Sequence, residues 1–206
     1  MRIVFWGLLA GLFLVSVPLW GQEDSSYVAE ILQHRKEYAQ HLTEGDRAPF
    51  RNAAPDTAYL DFFPPNPDYK VIADVILTPE AEPFEMPTSS GRTKTFVQYC
   101  WVRFSLGTDT LQLAVYRNLM LKLDIYKNHL FMPFRDGSCG ETTYGGGRYL
   151  DLSTEDIQDG KVELDFNLVY NPWCAFSDGY NCPIPPSVNR LEVAIKAGEK
   201  EFTKPH

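Results

Sequence analysis

From Tyr69 onward the apolar residues recur at every second position, and this alternation constrains the fold more than any other feature of the chain. Val71, Ala73, Val75 and Leu77 alternate with Lys70, Ile72, Asp74 and Ile76. A period of two belongs to the β-strand, whose successive side chains point to opposite faces. Phe96 to Leu106 reads as a long strand apolar on both faces, Gly107-Thr108-Asp109 turns the chain, and Leu111, Leu113 and Val115 form the return strand. Leu119, Leu121, Leu123 and Ile125 alternate again, followed by Leu130 to Phe134. Later, Val162, Leu164, Phe166 and Leu168 face one way with Glu163, Asp165 and Asn167 on the other, and Leu191, Val193 and Ile195 make a last strand. Eight or nine short strands joined by turns predict a mainly β protein, an antiparallel β-sandwich or barrel. The 15 prolines and 14 glycines argue against an all-helical alternative.

The N-terminal third reads differently. Ile3 to Val17 is an apolar run behind Arg2, short for a membrane span, and Leu19 and Gly21 are tolerable before a cleavage point. Residues 1–21 are therefore expected to be a secretory signal peptide, leaving residues 22–206 as a single β-rich domain outside the cytoplasm with no stable membrane span. Asp24 to Leu42 carries Val28, Ile31, Leu32, Tyr38, Ala39 and Leu42 at three- and four-residue steps, which predicts one amphipathic helix capped by Asp24, Ser25 or Ser26. Arg35 falls on the same stripe, its stem packed and its head expected to meet a carboxylate. The proline-rich residues 43–68 are loop, with Leu60, Phe62 and Phe63 dropping into the core. The polar tail EKEFTKPH is expected to fray.

An exported chain can oxidise its cysteines, and four cysteines allow three connectivities. Cys174 and Cys182 close a small loop and are the first choice of pair, while Cys100, inside an apolar strand, reads as a buried thiol. A cysteine zinc site is the competing reading, with poor ligand spacing. The net charge is -8. It disfavours nucleic acid as a partner, because an acidic surface repels phosphate backbones.

Two polar stretches could carry chemistry. Phe134 to Asp151, FRDGSCGETTYGGGRYLD, sets Arg135, Asp136, Glu141, Tyr144, Arg148 and Asp151 among five glycines. No GK[ST] and no GxGxxG occurs, so a phosphate cradle is not indicated, and the glycines fit a hairpin turn as well as a ligand-approach loop. Asp136, Glu141 and Asp165 are the candidate catalytic carboxylates. Asp136 and Glu141 could equally pair with Arg135 and Arg148 and only hold the loop. The second stretch, Asp165 to Asn189, sets the amides Asn167, Asn171 and Asn189 beside Tyr170, Trp173 and Tyr180, a composition suited to sugar rings or other flat polar ligands. The candidate ligand-binding set is Tyr144, Arg148, Asp151, Asn167, Asn171 and Asn189. Of the histidines, His129 alone lies near these stretches, and a lone histidine is rarely a catalyst. There is no GxSxG, HExxH or EF-hand loop, so no metal or cofactor is expected.

The blocks FRDGSCGETTYGGGRYLD, LDFNLVYNPWCAF and NCPIPPSVNRLEVAIKAGEK, with QHRKEY and DFFPPNPDYKV before them, resemble the domain-of-unknown-function family 1684 of bacterial and archaeal proteins. The resemblance implies that Asp136, Arg148, Asp165, Asn171 and Asn189 are family hallmarks, and it implies no activity. Cys139 departs from it, standing where a small or hydroxyl residue is expected. Three functions remain in play: a binding module for a polar small molecule such as a carbohydrate, a carboxylate-based hydrolase, and a scaffold whose polar motifs only lock loops.

Overall fold

The structure is a computed structural model that describes residues 20–204. The expected leader and His206 lie outside the described residues, except that Trp20 and Gly21 fall within the first helix. Among the described residues one α-helix, α1 (Trp20–His41), precedes seven strands: β1 (Lys70–Leu77), β2 (Phe84–Pro87), β3 (Thr93–Leu106), β4 (Asp109–Asn118), β5 (His129–Phe134), β6 (Arg148–Ser153) and β7 (Lys161–Asp165). No described helix is long and apolar enough to cross a membrane.

The strands form one antiparallel sheet in the order β6-β5-β4-β3-β1-β7. The expected antiparallel β-rich fold is present, as a single sheet curled into a half-barrel. The spine is β3, a 14-residue strand. Phe96 to Leu106 pairs with β4; on its other side Thr93 to Phe96 pairs with β2 and Cys100 to Arg103 with β1. A strand shared in this way must be apolar on both faces, as read from its sequence. One face carries the main core, with Val102, Phe104, Leu113, Leu130, Met132, Phe134 and Leu164. The other carries a smaller aromatic cluster of Phe96, Tyr116, Phe131 and Tyr149.

Several expectations are corrected. Leu119, Leu121, Leu123 and Ile125 form no strand: Asn118 ends β4 by accepting from the Met120 amide, a short 3-10 turn follows at Asp124–Tyr126, and Leu123 and Ile125 are exposed. The segment at Leu191, Val193 and Ile195 joins no ladder of the sheet, yet Leu191 and Ile195 are buried, because alternation reports burial and not pairing. Nor are the described residues of the tail loose: Phe202 packs on Phe50 and Phe176, and Glu199 is fully buried. Asp24, Ser25 and Ser26 lie inside α1, not at its start. The Arg35 guanidinium meets the ring of Phe62, 4.7 Å from its centre, in place of the expected carboxylate.

Candidate functional site

The glycine-rich connection between β5 and β6 folds back on itself. Gly147 has φ +93°, and a Cβ there would sit 2.6 Å from the Phe134 carbonyl, so only glycine fits. This close return delivers Arg148 inward at the start of β6. Its side chain is fully buried. Nη1 donates to the carbonyls of Ala197 at 2.6 Å and Glu199 at 3.0 Å. Nη2 donates to Asp136 Oδ2 and to the Ile195 carbonyl, both at 2.8 Å. The other oxygen of Asp136 accepts from the Ser138 amide and hydroxyl. Arg148 and Asp136 thus bolt the C-terminal segment to the β5–β6 connection.

The asparagines do comparable work. Buried Asn189 fills the gap where β4 and β5 diverge: its Nδ2 donates to the Ala114 and Pro133 carbonyls and its Oδ1 accepts from the Ala114 amide, imitating a peptide unit. Asn171 donates from Nδ2 to the Lys200 carbonyl, and its amide donates to Glu199 Oε2 at 2.8 Å. Asp165 caps the 3-10 turn Phe166–Leu168 through the Asn167 amide and accepts from the Tyr27 hydroxyl of α1. Asn167 donates to the same hydroxyl and to the Asn66 carbonyl. Glu141 is exposed and Tyr144 half-buried, its ring filling the space beside Gly146.

The segment 170–184 forms a strap. At one end Tyr170 exchanges backbone hydrogen bonds with Tyr149 of β6; at the other Cys182 and Ile184 bond to Ser89 and Pro87, at the end of β2. Between these ties it crosses the face that carries Phe96, Phe131 and Tyr149. The expected Cys174–Cys182 disulfide closes it, with Cα atoms 6.4 Å apart, and Cys100 is a buried thiol whose pKa burial pushes up to about 12.

Beneath the strap lies an open hollow of about 710 Å³. Phe96, Phe131, Tyr149, Tyr170, Trp173 and Tyr180 supply aromatic surface; Arg47, Arg92 and Lys94 supply cations; His129 and Asp151 supply a polar pair. The pair follows from strand geometry: His129 and Phe131 are two apart on β5, Tyr149 and Asp151 two apart on β6, and Phe131 faces Asp151 in register. His129 Nε2 lies 3.1 Å from one Asp151 oxygen, and the Tyr170 hydroxyl donates to the other at 2.7 Å. Burial, then the adjacent Asp151, holds the Tyr170 hydroxyl well above the ordinary tyrosine range, so it remains a donor. His129 Nδ1 is buried and without a partner, so the imidazole presents no free nitrogen to the hollow. The lining contains no serine, threonine or free cysteine. Among the described residues no group of three or more His, Cys, Asp or Glu side chains could hold a metal.

Of the six residues expected to bind a ligand, only Asp151 lines this hollow. Arg148, Asn167, Asn171 and Asn189 are buried against protein partners, and Tyr144 lies outside the lining. None of Asp136, Glu141 and Asp165 reaches it. The cation cluster escaped sequence reading because Arg47 lies far along the chain from Arg92 and Lys94. One signal was available: Arg92 and Lys94 are two apart at the entry to β3, and so share a face.

The model of the family described as "Protein of unknown function (DUF1684)" matches residues 57–200. The chain belongs to this family. The resemblance carried by the glycine-rich and amide-rich blocks is thereby borne out, and every lining residue of the hollow except Arg47 falls inside the matched range. The chain is similar to the uncharacterized protein from gene locus rrnAC0354 of Haloarcula marismortui, known from a solution NMR structure. The two are 33% identical with a TM-score of 0.66, over 87% of this chain and 96% of that one. No curated protein matches this DUF1684 chain.

Proposed function

We propose that this protein is an exported binding module for a polar small molecule, held in the hollow between the sheet and the strap 170–184. The observation that carries this reading is the lining itself: aromatic walls, a few convergent polar groups, and no assembled nucleophile or metal-ligand set. The pocket expected between residues 134–151 and 165–190 is narrowed to Tyr149 and Asp151 from the first stretch and Tyr170 to Pro183 from the second. Trp173 and Tyr180 pack edge to face on each other, 5.3 Å apart centre to centre, and make one aromatic wall of the hollow that suits a ring-shaped ligand such as a carbohydrate. Export is part of the proposal, supported by the apolar leader and the Cys174–Cys182 disulfide. Nucleic acid is left out of it, on the strength of the net charge of -8. In the same reading α1 is an amphipathic cover fastened by Tyr27 and Tyr38 to a barrel-like curl of sheet.

The hydrolase reading rests on Asp136, Glu141 and Asp165, none of which lines the hollow; the carboxylate that does, Asp151, is held by His129 and the Tyr170 hydroxyl. A thermal-shift screen of the exported chain against sugars, nucleotides and small acids tests the proposal. Ligands that raise the melting temperature are expected to lose their effect in Trp173→Ala, which removes an exposed wall without opening the core. A set of hits indifferent to Trp173→Ala and to Tyr180→Ala would place binding elsewhere.

A further inference from the structure

We propose that the hollow selects for a negatively charged ligand: a ring-bearing organic acid whose carboxylate or phosphate is taken by Arg47, Arg92 and Lys94. The inference rests on the binding reading above and adds the chemical class. Three cations from the loop after α1, the turn before β3 and the first residues of β3 converge on one cavity. Eight ion pairs occur among the described residues, and none of them uses these three side chains. That is informative in a chain with 27 acidic residues against 19 basic, where carboxylate partners are abundant. Asp46, adjacent to Arg47, pairs instead with Arg51 at 3.1 Å. Like charges gathered on a partly dry surface repel, and a bound anion relieves the repulsion. Lys94 registers the cost: burial, then the charge of Arg47, lowers its pKa.

The opposite end of the hollow fixes the direction of binding. Asp151 on β6 is level in register with Gln98 of β3, three strand spacings away, and Lys94 lies four residues further along β3, so the two backbones are roughly 19 Å apart and the side chains close part of that span. A ligand anion would be repelled at Asp151, whereas hydroxyl groups could donate to it. Between the ends lie Phe96, Phe131 and Tyr149, with Trp173 and Tyr180 alongside. The arrangement therefore fits a molecule with acid at one end, a ring in the middle and neutral polar groups at the other. Uronic acids and sugar phosphates share this chemistry, and aromatic acids have the first two parts.

Isothermal titration of the exported chain can separate these. The probes are glucose and galactose, their uronic acids, their 1-phosphates, benzoate and inorganic phosphate, each at low and high salt. At least one ring-bearing acid is expected to bind ten-fold or more tightly than its neutral counterpart and than inorganic phosphate, with affinity falling as salt rises. The variant Arg92→Gln/Lys94→Gln, at an exposed and a half-buried position, is expected to lose that ten-fold preference while its melting temperature is unchanged. Uronic acids against 1-phosphates identify the anionic group. Equal affinity for acids and neutral sugars, or full acid affinity in the double variant, overturns the inference. If neutral sugars still bind in a Trp173-dependent way, the binding reading survives without it. Binding of inorganic phosphate with no gain from any ring also overturns it, and a wild-type chain that takes up no probe removes both.

Discussion

A single buried guanidinium shows how far a motif residue can be from a ligand site. Arg148 satisfies four acceptors, three of them main-chain carbonyls of residues 195–199, and its charge is matched by Asp136. Removing one partner of a buried pair costs more than the pair contributes, because the remaining charge is stranded away from water. Arg148→Met is therefore expected to lower the unfolding free energy by roughly 3–5 kcal/mol. Adding Asp136→Asn should recover part of the loss, since the stranded group is then neutral. Arg148→Lys should resemble Arg148→Met, because one ammonium cannot span acceptors that the planar fork reaches together. Urea titration of the three variants checks this, and a loss under about 1 kcal/mol for Arg148→Met would show that the clamp contributes little.

At the scale of elements, the strap 170–184 is the piece with the least regular structure and the most influence on the hollow. Its ends are held by backbone hydrogen bonds to β6 and to the residues after β2, and Tyr149 Oη donates to the Pro183 carbonyl between them. Its middle depends on the disulfide, which joins residues 8 apart in sequence. Closing so short a loop removes little entropy from the unfolded chain, which sets the stabilisation at roughly 2–3 kcal/mol. Cys174→Ser/Cys182→Ser should therefore fold, with its unfolding free energy from urea titration lowered by that amount. Ligand affinity should fall as well, because Trp173 and Tyr180 are then ordered only on binding. Reduction of the wild type by dithiothreitol should reproduce both effects. A variant that is destabilised yet binds as tightly as wild type would separate the disulfide from the organisation of the hollow.

For the molecule as a whole, what could be read in advance divides by range. Period-two alternation exposed the strands because a half-buried sheet imposes it locally, and the Cys174–Cys182 pair was legible because its loop is short. What escaped was non-local. Arg47 and Lys94 meet across 47 positions of sequence, and Leu123 and Ile125 carry strand-like spacing on an exposed turn that no ladder uses. The tail was misjudged for the same reason: its polar composition hid Glu199, which the fold draws into the interior between three separate parts of the chain. Glu199 Oε2 accepts from the Tyr38 hydroxyl of α1 at 3.0 Å and from the Asn171 amide at 2.8 Å, and Arg148 lies near enough to favour its charged form. Burial outweighs these and pushes the carboxyl up from 4.5 to about 7. The folded protein thus holds this proton over a pH range in which the unfolded chain has already released it. The resulting stabilisation is complete below about pH 4.5 and is lost as pH rises through about 7, a change of roughly 3 kcal/mol. Glu199→Gln stays neutral throughout, so other titrating groups cancel when the two proteins are compared. Urea unfolding at pH 5 and pH 8 should show the variant close to wild type at the lower pH and more stable than wild type at the higher one. Parallel pH profiles would mean that Glu199 titrates alike in the folded and unfolded chain, and that α1, the strap and the tail are joined there without a proton between them.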